Sequence, residues 1–202
     1  VHNCQGYGLQ AVSSTVEAYN TQFSNTLMDC ASFLGGKTTL THCTFAQFYP
    51  FDGNRGAALR ISNHLGDKEY ALQSFDIVNS LITGYADDVV MVDNRDNMMA
   101  NYQFDHCILR TDKPKDTTLL THFTDVIWEN TKDYPSGGEK QFVMVDADKQ
   151  RFNFHLLKLK DGEKSAAVDA GKVLNDTRFA KDHDGKPRDG KPDIGCYELM
   201  SN

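Results

Sequence analysis

What this chain has little of sets its limits. Positive charge is short: 21 Lys and Arg face 28 Asp and Glu, leaving a formal net charge of -7. Phosphate contacts need Lys and Arg gathered on one face, so the balance argues against a general nucleic-acid binder. No apolar run approaches the roughly 18 residues that a membrane span requires. Helical periodicity is missing too, since no stretch of about eleven residues sets apolar side chains at helix spacing. Neither Gly-x-Ser-x-Gly, a phosphate-cradling loop nor His-Glu-x-x-His occurs. There is no Cys-x-x-Cys pair, and the His beside Cys43 or Cys107 is too close to share a tetrahedral metal site with it.

What is present is a six-residue unit: apolar, any, Asn or His, small, any, apolar. It reads Ala18-Tyr19-Asn20-Thr21-Gln22-Phe23, then Leu40-Thr41-His42-Cys43-Thr44-Phe45. It returns as Ile77-Val78-Asn79-Ser80-Leu81-Ile82 and Phe104-Asp105-His106-Cys107-Ile108-Leu109, and Val1-His2-Asn3-Cys4-Gln5-Gly6 reads as a partial copy. A fixed unit recurring every few tens of residues marks a solenoid, each coil burying its apolar face against its neighbours. The small residue and the last apolar residue lie two apart, on one face of a strand. The first apolar residue lies three before the small one, so the chain must bend between them, at the Asn or His. Asn tolerates the left-handed backbone that bends need, and stacked Asn side chains can form a ladder from coil to coil.

The fold expected is all-β, a single-stranded right-handed parallel β-helix with coils stacked about 4.8 Å apart. It forms one domain over residues 1–202: coils over 1–112, a long loop insertion over 113–140, and last strands with a C-terminal closing segment over 141–202. Cys4, Cys43 and Cys107 stand in the small slot that Thr21 and Ser80 fill elsewhere, which favours buried free thiols, chosen for size, over disulfides. The chain opens on Val1 with the repeat in progress and no signal-peptide pattern. The expectation drawn from this is that further coils precede Val1, and that the first coil is open and prone to end-to-end association.

The C-terminal part carries three phrases: Ser165-Ala166-Ala167-Val168-Asp169-Ala170-Gly171, then Asp182-His183-Asp184-Gly185-Lys186-Pro187-Arg188, then Asp193-Ile194-Gly195-Cys196-Tyr197-Glu198. Their order resembles the C-terminal part of bacterial, often Bacteroidetes, parallel β-helix proteins with a choice-of-anchor Q domain. In that pattern a Pro stands where Ala166 is and an Ala where Cys196 is. The resemblance implies a β-helix exported to the cell surface or beyond, and it implies no catalytic residue. Physically the phrases read as a closing device over the last coil. Asp169, Arg188, Asp193 and Glu198 would hold it by charge-assisted hydrogen bonds, with Val168, Ile194 and Tyr197 packed on the last rung.

Function is expected to be binding, or help in processing, of polysaccharide. The alternatives are a polysaccharide lyase or glycoside hydrolase with its groove on the coil flank, and a structural or adhesive surface protein. Contact candidates are Arg60, Asp87, Asp88, Arg95 and Trp128; Arg110 and Tyr134 are weaker ones. Asp87 and Asp88 are adjacent, so on a strand they point to opposite faces and converge poorly. Trp128 either stacks a sugar or packs on the coil. His42 and His106 read as bend residues, and no catalytic or metal-ligating residue is identified. Calcium is the one cation suggested, through Asp182-x-Asp184-Gly185, but the loop lacks acids at Ala180 and Lys191, and a structural turn explains it better.

Overall fold

The structure is a computed structural model that describes residues 1–87, 90–95, 101–135, 137–158 and 162–199. The protein is predominantly β. Strands β1 (Leu9–Tyr19), β3 (Ala31–Thr41), β5 (Leu59–Ser62), β8 (Leu72–Val78), β10 (Val90–Asp93), β11 (Tyr102–Asp105) and β13 (Phe123–Thr124) form one sheet. Strands β2 (Gln22–Ser24), β4 (Thr44–Gln47), β9 (Leu81–Gly84), β12 (Ile108–Leu109) and β14 (Ile127–Trp128) form a second. All pairings within both are parallel. Two short hairpins, β6 (His64–Leu65) with β7 (Lys68–Glu69) and β15 (Phe142–Asp146) with β16 (Arg151–Leu156), are antiparallel.

The chain passes from the first sheet to the second through a two-residue bend. Its first residue always has positive φ: Asn20 (49°), His42 (51°), Asn79 (51°), His106 (50°) and Asp125 (48°). These residue types visit the left-handed region more readily than most. Its second residue also acts: Thr21 Oγ1 donates to Tyr19 O (2.9 Å) and Ser80 Oγ to Val78 O (2.9 Å). The thiols of Cys43 and Cys107 reach Thr41 O and Asp105 O (3.6 and 3.4 Å). The slot therefore selects a small hydrogen-bond donor, not size alone.

The columns run inward on both sides of the bend. Ala18, Leu40, Ile77, Phe104 and Phe123 are in register before it. Phe23, Phe45, Ile82, Leu109 and Trp128 are in register after it. Phe23 and Phe45 stack with ring centroids 5.4 Å apart. Between the columns Cys43, Ser80 and Cys107 are fully buried, and the Cys43 N–H donates to Ser80 Oγ (3.0 Å). Each large side chain so buried contributes about 1.5–3 kcal/mol of transfer free energy. All five cysteines are free. Strand β3 is long because it pairs with β5 over its first half and with β8 over its second. Gly36 sits at the break with φ 87°, and a Cβ there would lie 2.3 Å from Ser14 O.

Three expectations are corrected. Val1–Gly6 is not a copy in the same register: His2 bridges Ser24, so Asn3 lies level with Asn25 at a second left-handed bend. Cys4 thereby falls outside the thiol column and is partly exposed. The two bends share the order Asn then small residue, which is why the sequence pattern fits both. Within 113–140 lies a fifth copy, Phe123-Thr124-Asp125-Val126-Ile127-Trp128, which pairs as β13 and β14. It escapes the pattern because Asp replaces Asn or His and Val replaces the small donor. Finally, the C-terminal segment lies along the face of the second sheet, not over the end of the two sheets. Ala167 and Ile194 pack with Ala46, Leu81 and Ile108 on the outer face of the second sheet, beside Phe142, Phe154 and Leu156 of the β15–β16 hairpin.

The bend column holds that segment. Asn20 Nδ2 donates to Lys181 O (2.7 Å), and Arg188 Nη2 donates to Asn20 Oδ1 (2.9 Å). Among the described bend residues the side-chain ladder keeps one hydrogen bond, Asn79 Nδ2 with His42 Nε2 at 3.1 Å, and one longer contact, His106 Nε2 with Asp125 Oδ2 at 3.7 Å. Arg188 pairs with Glu198 (2.8 Å) in a buried bridge, and the Asp193 carboxylate accepts from Asp169 N (2.7 Å) and Leu199 N (2.6 Å). Asp169 itself bridges the exposed Lys164.

Candidate functional site

With the second sheet covered, the first presents a polar outer face. Register sets Gln10, Ser32 and Arg60 side by side. Asp29, just before β3, accepts from Arg60 Nε (2.7 Å) with Oδ2, and from Arg60 Nη2 (3.2 Å) and Ala57 N (2.7 Å) with Oδ1. The Asp29 side chain is buried, whereas that of Arg60 is 33% exposed. Hydrogen bonding to Asp29 raises the Arg60 pKa above its already high value. Gly56 passes so close that a Cβ on it would lie 2.4 Å from Asp29 N.

Arg60 faces an open cleft of about 480 Å³ whose walls include Tyr7, Gln10, Ser32, His64 and Asp93. The β6–β7 hairpin projects His64, and Ser62 Oγ donates to His64 O (2.7 Å). His64 Nε2 stands 3.8 Å from Asp93 Oδ1. Asp29 is committed to Arg60 and a backbone N–H, which makes it a positioning group. His64 and Asp93 stand beside Arg60, with His64 Nδ1 also 3.3 Å from Asn63 Oδ1, and Arg60 supplies fixed positive charge. The cleft can take a carboxylate and several hydroxyls.

Of the expected contact residues that the structure describes, only Arg60 lines this cleft. Arg95 is drawn to the tip of the hairpin, with its guanidinium on Gly66 O and on Asp67 Oδ1 (3.3 Å). Asp87 accepts from Thr131 N and Thr131 Oγ1, fastening the loop after β14 to the end of β9. Asp88 lies outside the described residues. Trp128 stands edge-on to Phe123 at the end of the apolar column (ring centroids 4.9 Å) and lines a separate, largely apolar cavity of about 240 Å³. Arg110 is wholly buried and donates to Tyr134 O (2.7 Å). Burial, then the charge of Arg188, pushes His42 down to about 3, so it stays neutral in its bend. Asp182 Oδ1 accepts from Asp184 N and Lys186 N, and its Oδ2 from Glu198 N, so it builds the turn.

One further group could hold a metal ion. Asp105, His106 and Asp125 each place a ligand atom within 4.8 Å of the others. Lys172 Nζ already pairs with Asp105 (2.7 Å), and His106 Nδ1 lies 2.7 Å from the same carboxylate. Sequence reasoning missed Asp29, Tyr7, His64 and Asp93. No local signal marks them, since Asp29 and Arg60 are 31 residues apart and only the β3–β5 register joins them. No family model matches the chain, nor does any curated protein or solved structure.

Proposed function

We propose that this protein is a module that binds acidic polysaccharide in the Arg60 cleft of a right-handed parallel β-helix, exported to the cell surface or beyond. The observation that carries the reading is Arg60 itself. Asp29 fixes its guanidinium through Nε and Nη2, while Nη1 has no partner among the described residues and remains for a uronate carboxylate. The two aligned sheets and the recurring left-handed bend support the solenoid. The three C-terminal phrases support kinship with choice-of-anchor Q proteins, and hence export.

The test is retention by polygalacturonate and alginate in affinity electrophoresis. Wild type should be retained, and Arg60→Gln should lose at least about tenfold in affinity while remaining folded. Asp29→Asn with Arg60→Gln, which leaves no unpaired buried charge, should lose as much. Indifference to every acidic polymer would refute the reading and favour a structural or adhesive role. The His64–Asp93 pair beside Arg60 favours a second reading, lyase or hydrolase action on the bound chain. New unsaturated or reducing ends, absent in His64→Ala, would establish it.

A further inference from the structure

The Arg60 cleft does not stand alone. Arg55, at its edge, also lines a second cleft of about 340 Å³ with Tyr49, Phe51, Tyr85 and Asp148. Tyr49, Phe51 and Gln150 in turn border a third cleft of about 460 Å³, closed on its far side by Asn3 and Phe152. Phe51 is 65% exposed and stands between these two clefts, with Tyr49 edge-on to it at 5.4 Å. Its exposed ring offers the groove an apolar face on which a ligand ring can stack. Tyr85 is braced from behind by Phe48 (4.9 Å), and Phe152 by Phe154 (5.9 Å). Both rings are therefore held on rigid supports.

The charge here differs from that of the first cleft. Asp52 and Asp148 line the middle cleft. Arg55, the one cation among its described lining residues, lies over the Tyr85 ring, 5.5 Å from the centroid. An anionic sugar would be repelled at this point. The side chains of Asn3 and Gln150 make no hydrogen bond among the described residues, leaving amide donors and acceptors for hydroxyls. Apolar ring faces beside free amides, without net positive charge, suit neutral pyranose or furanose rings.

We infer that Tyr49, Phe51 and Phe152 form a track of stacking subsites for neutral sugar units, continuing from the Arg60 cleft past the Arg55-covered ring of Tyr85. The ligand would then be a heteropolysaccharide that presents a uronate beside neutral residues. This rests on the glycan reading but makes a separate demand, that neutral sugars bind without Arg60.

The experiment is affinity electrophoresis against neutral polymers (galactan, mannan, xylan, β-glucan), acidic ones (polygalacturonate, alginate) and a mixed one (rhamnogalacturonan). Wild type should be retained by at least one neutral polymer and more strongly by the mixed one. Phe51→Ala should weaken the neutral interaction about tenfold. Phe51→Leu should weaken it equally, because an aliphatic side chain keeps the apolar surface but offers no ring. Arg60→Gln should leave it unchanged. Phe51 is so exposed that neither of its variants should shift the thermal midpoint, and Phe152→Ala gives an independent check on the same track. Retention by acidic polymers alone, lost in Arg60→Gln, would overturn this inference and leave the acidic-cleft reading standing. Neutral retention sensitive to Phe51, without any acidic retention, would do the reverse. Neutral retention indifferent to both Phe51 and Phe152 would also overturn it.

Discussion

Asn79 grips Lys172, 93 residues further along the chain, with both ends of its side-chain amide: Nδ2 donates to Lys172 O (2.8 Å), and Lys172 N donates to Oδ1 (2.7 Å). A bend residue chosen for its backbone thus also docks the C-terminal segment, in the way one strand pairs with another. Gly195 N donates to Asn79 O (2.8 Å), which adds a third bond at the same residue.

Asn79→Ala should therefore cost about 2–4 kcal/mol, from three lost side-chain hydrogen bonds, two to Lys172 and one to His42, and the strain of Ala at positive φ. Asn79→Gly should cost less, because it loses the bonds but relieves the backbone. Thermal melts measure the order, and limited proteolysis should find the segment after Gly171 cut sooner in both variants. Equal melting of Asn79→Ala and wild type would remove the docking role.

The thiol column makes a chemical prediction. Burial pushes Cys43, Cys107 and Cys196 up to about 12 and Cys30 up to about 11, so none forms a thiolate near neutrality. A thiol reagent on the native protein should label Cys4 alone, and all five after denaturation. Cys107→Ser should be tolerated, because the hydroxyl can still donate to Asp105 O, whereas Cys107→Phe should overpack the column and cost about 1–3 kcal/mol. Fast native labelling at Cys107 would place that side chain on the surface and break the register argument.

These predictions indicate what could be read from the chain and what could not. The left-handed bend was legible because Asn and His recur at the one position whose backbone excludes most residues. The inward columns followed from period-two alternation on either side of it. Asp125-Val126 was illegible because Asp tolerates the same bend without matching the pattern, and Val126, part of the apolar core, dispenses with the donor. The last strands expected within 141–202 are present as β15 and β16. That they fold back as an antiparallel hairpin over the second sheet depends on the apolar outward positions Ala46, Leu81 and Ile108, which look no different from core in the sequence. The clefts depend on long-range register and on the exposure of the Tyr49-Pro50-Phe51 loop, and neither is a local property.

Stability should respond to pH from both sides. Burial pushes His42 down to about 3, below its unfolded value near 6.5, so its contribution is full above about pH 6.5 and fades as pH falls toward 3. Burial pushes Glu129 up to about 7, with Arg110 pulling the other way, and burial pushes Asp193 up to about 6. Their contributions are full below the ordinary carboxylate range and fade as pH rises through those values. The melting temperature should thus peak at mildly acidic pH. Glu129→Gln should flatten the alkaline side by about 1–3 kcal/mol and leave the acid side alone. His42→Asn, a residue the same slot holds at Asn20 and Asn79, should flatten the acid side. Unchanged profiles in both variants would show that neither group titrates across the folding transition.

The Asp29–Arg60 pair yields the last prediction, and it separates scaffold from site. Asp29→Ala removes the acceptor for Ala57 N and for two guanidinium donors, so it should cost about 2–4 kcal/mol and loosen the floor of the cleft. Arg60→Ala leaves a buried carboxylate with a single backbone partner and should cost about 1–3 kcal/mol. The double variant should cost less than the sum of the two, with a coupling of about 1–3 kcal/mol from a double-mutant cycle of denaturant melts. Because Asp29 is buried and the contact is direct, that coupling should survive about 0.5 M NaCl, where an exposed pair would be screened. A coupling near zero would mean that Arg60 is not held by Asp29 in solution. The cleft would then have a mobile cation in place of a fixed one, and the preorganised carboxylate site on which the glycan reading depends would be lost.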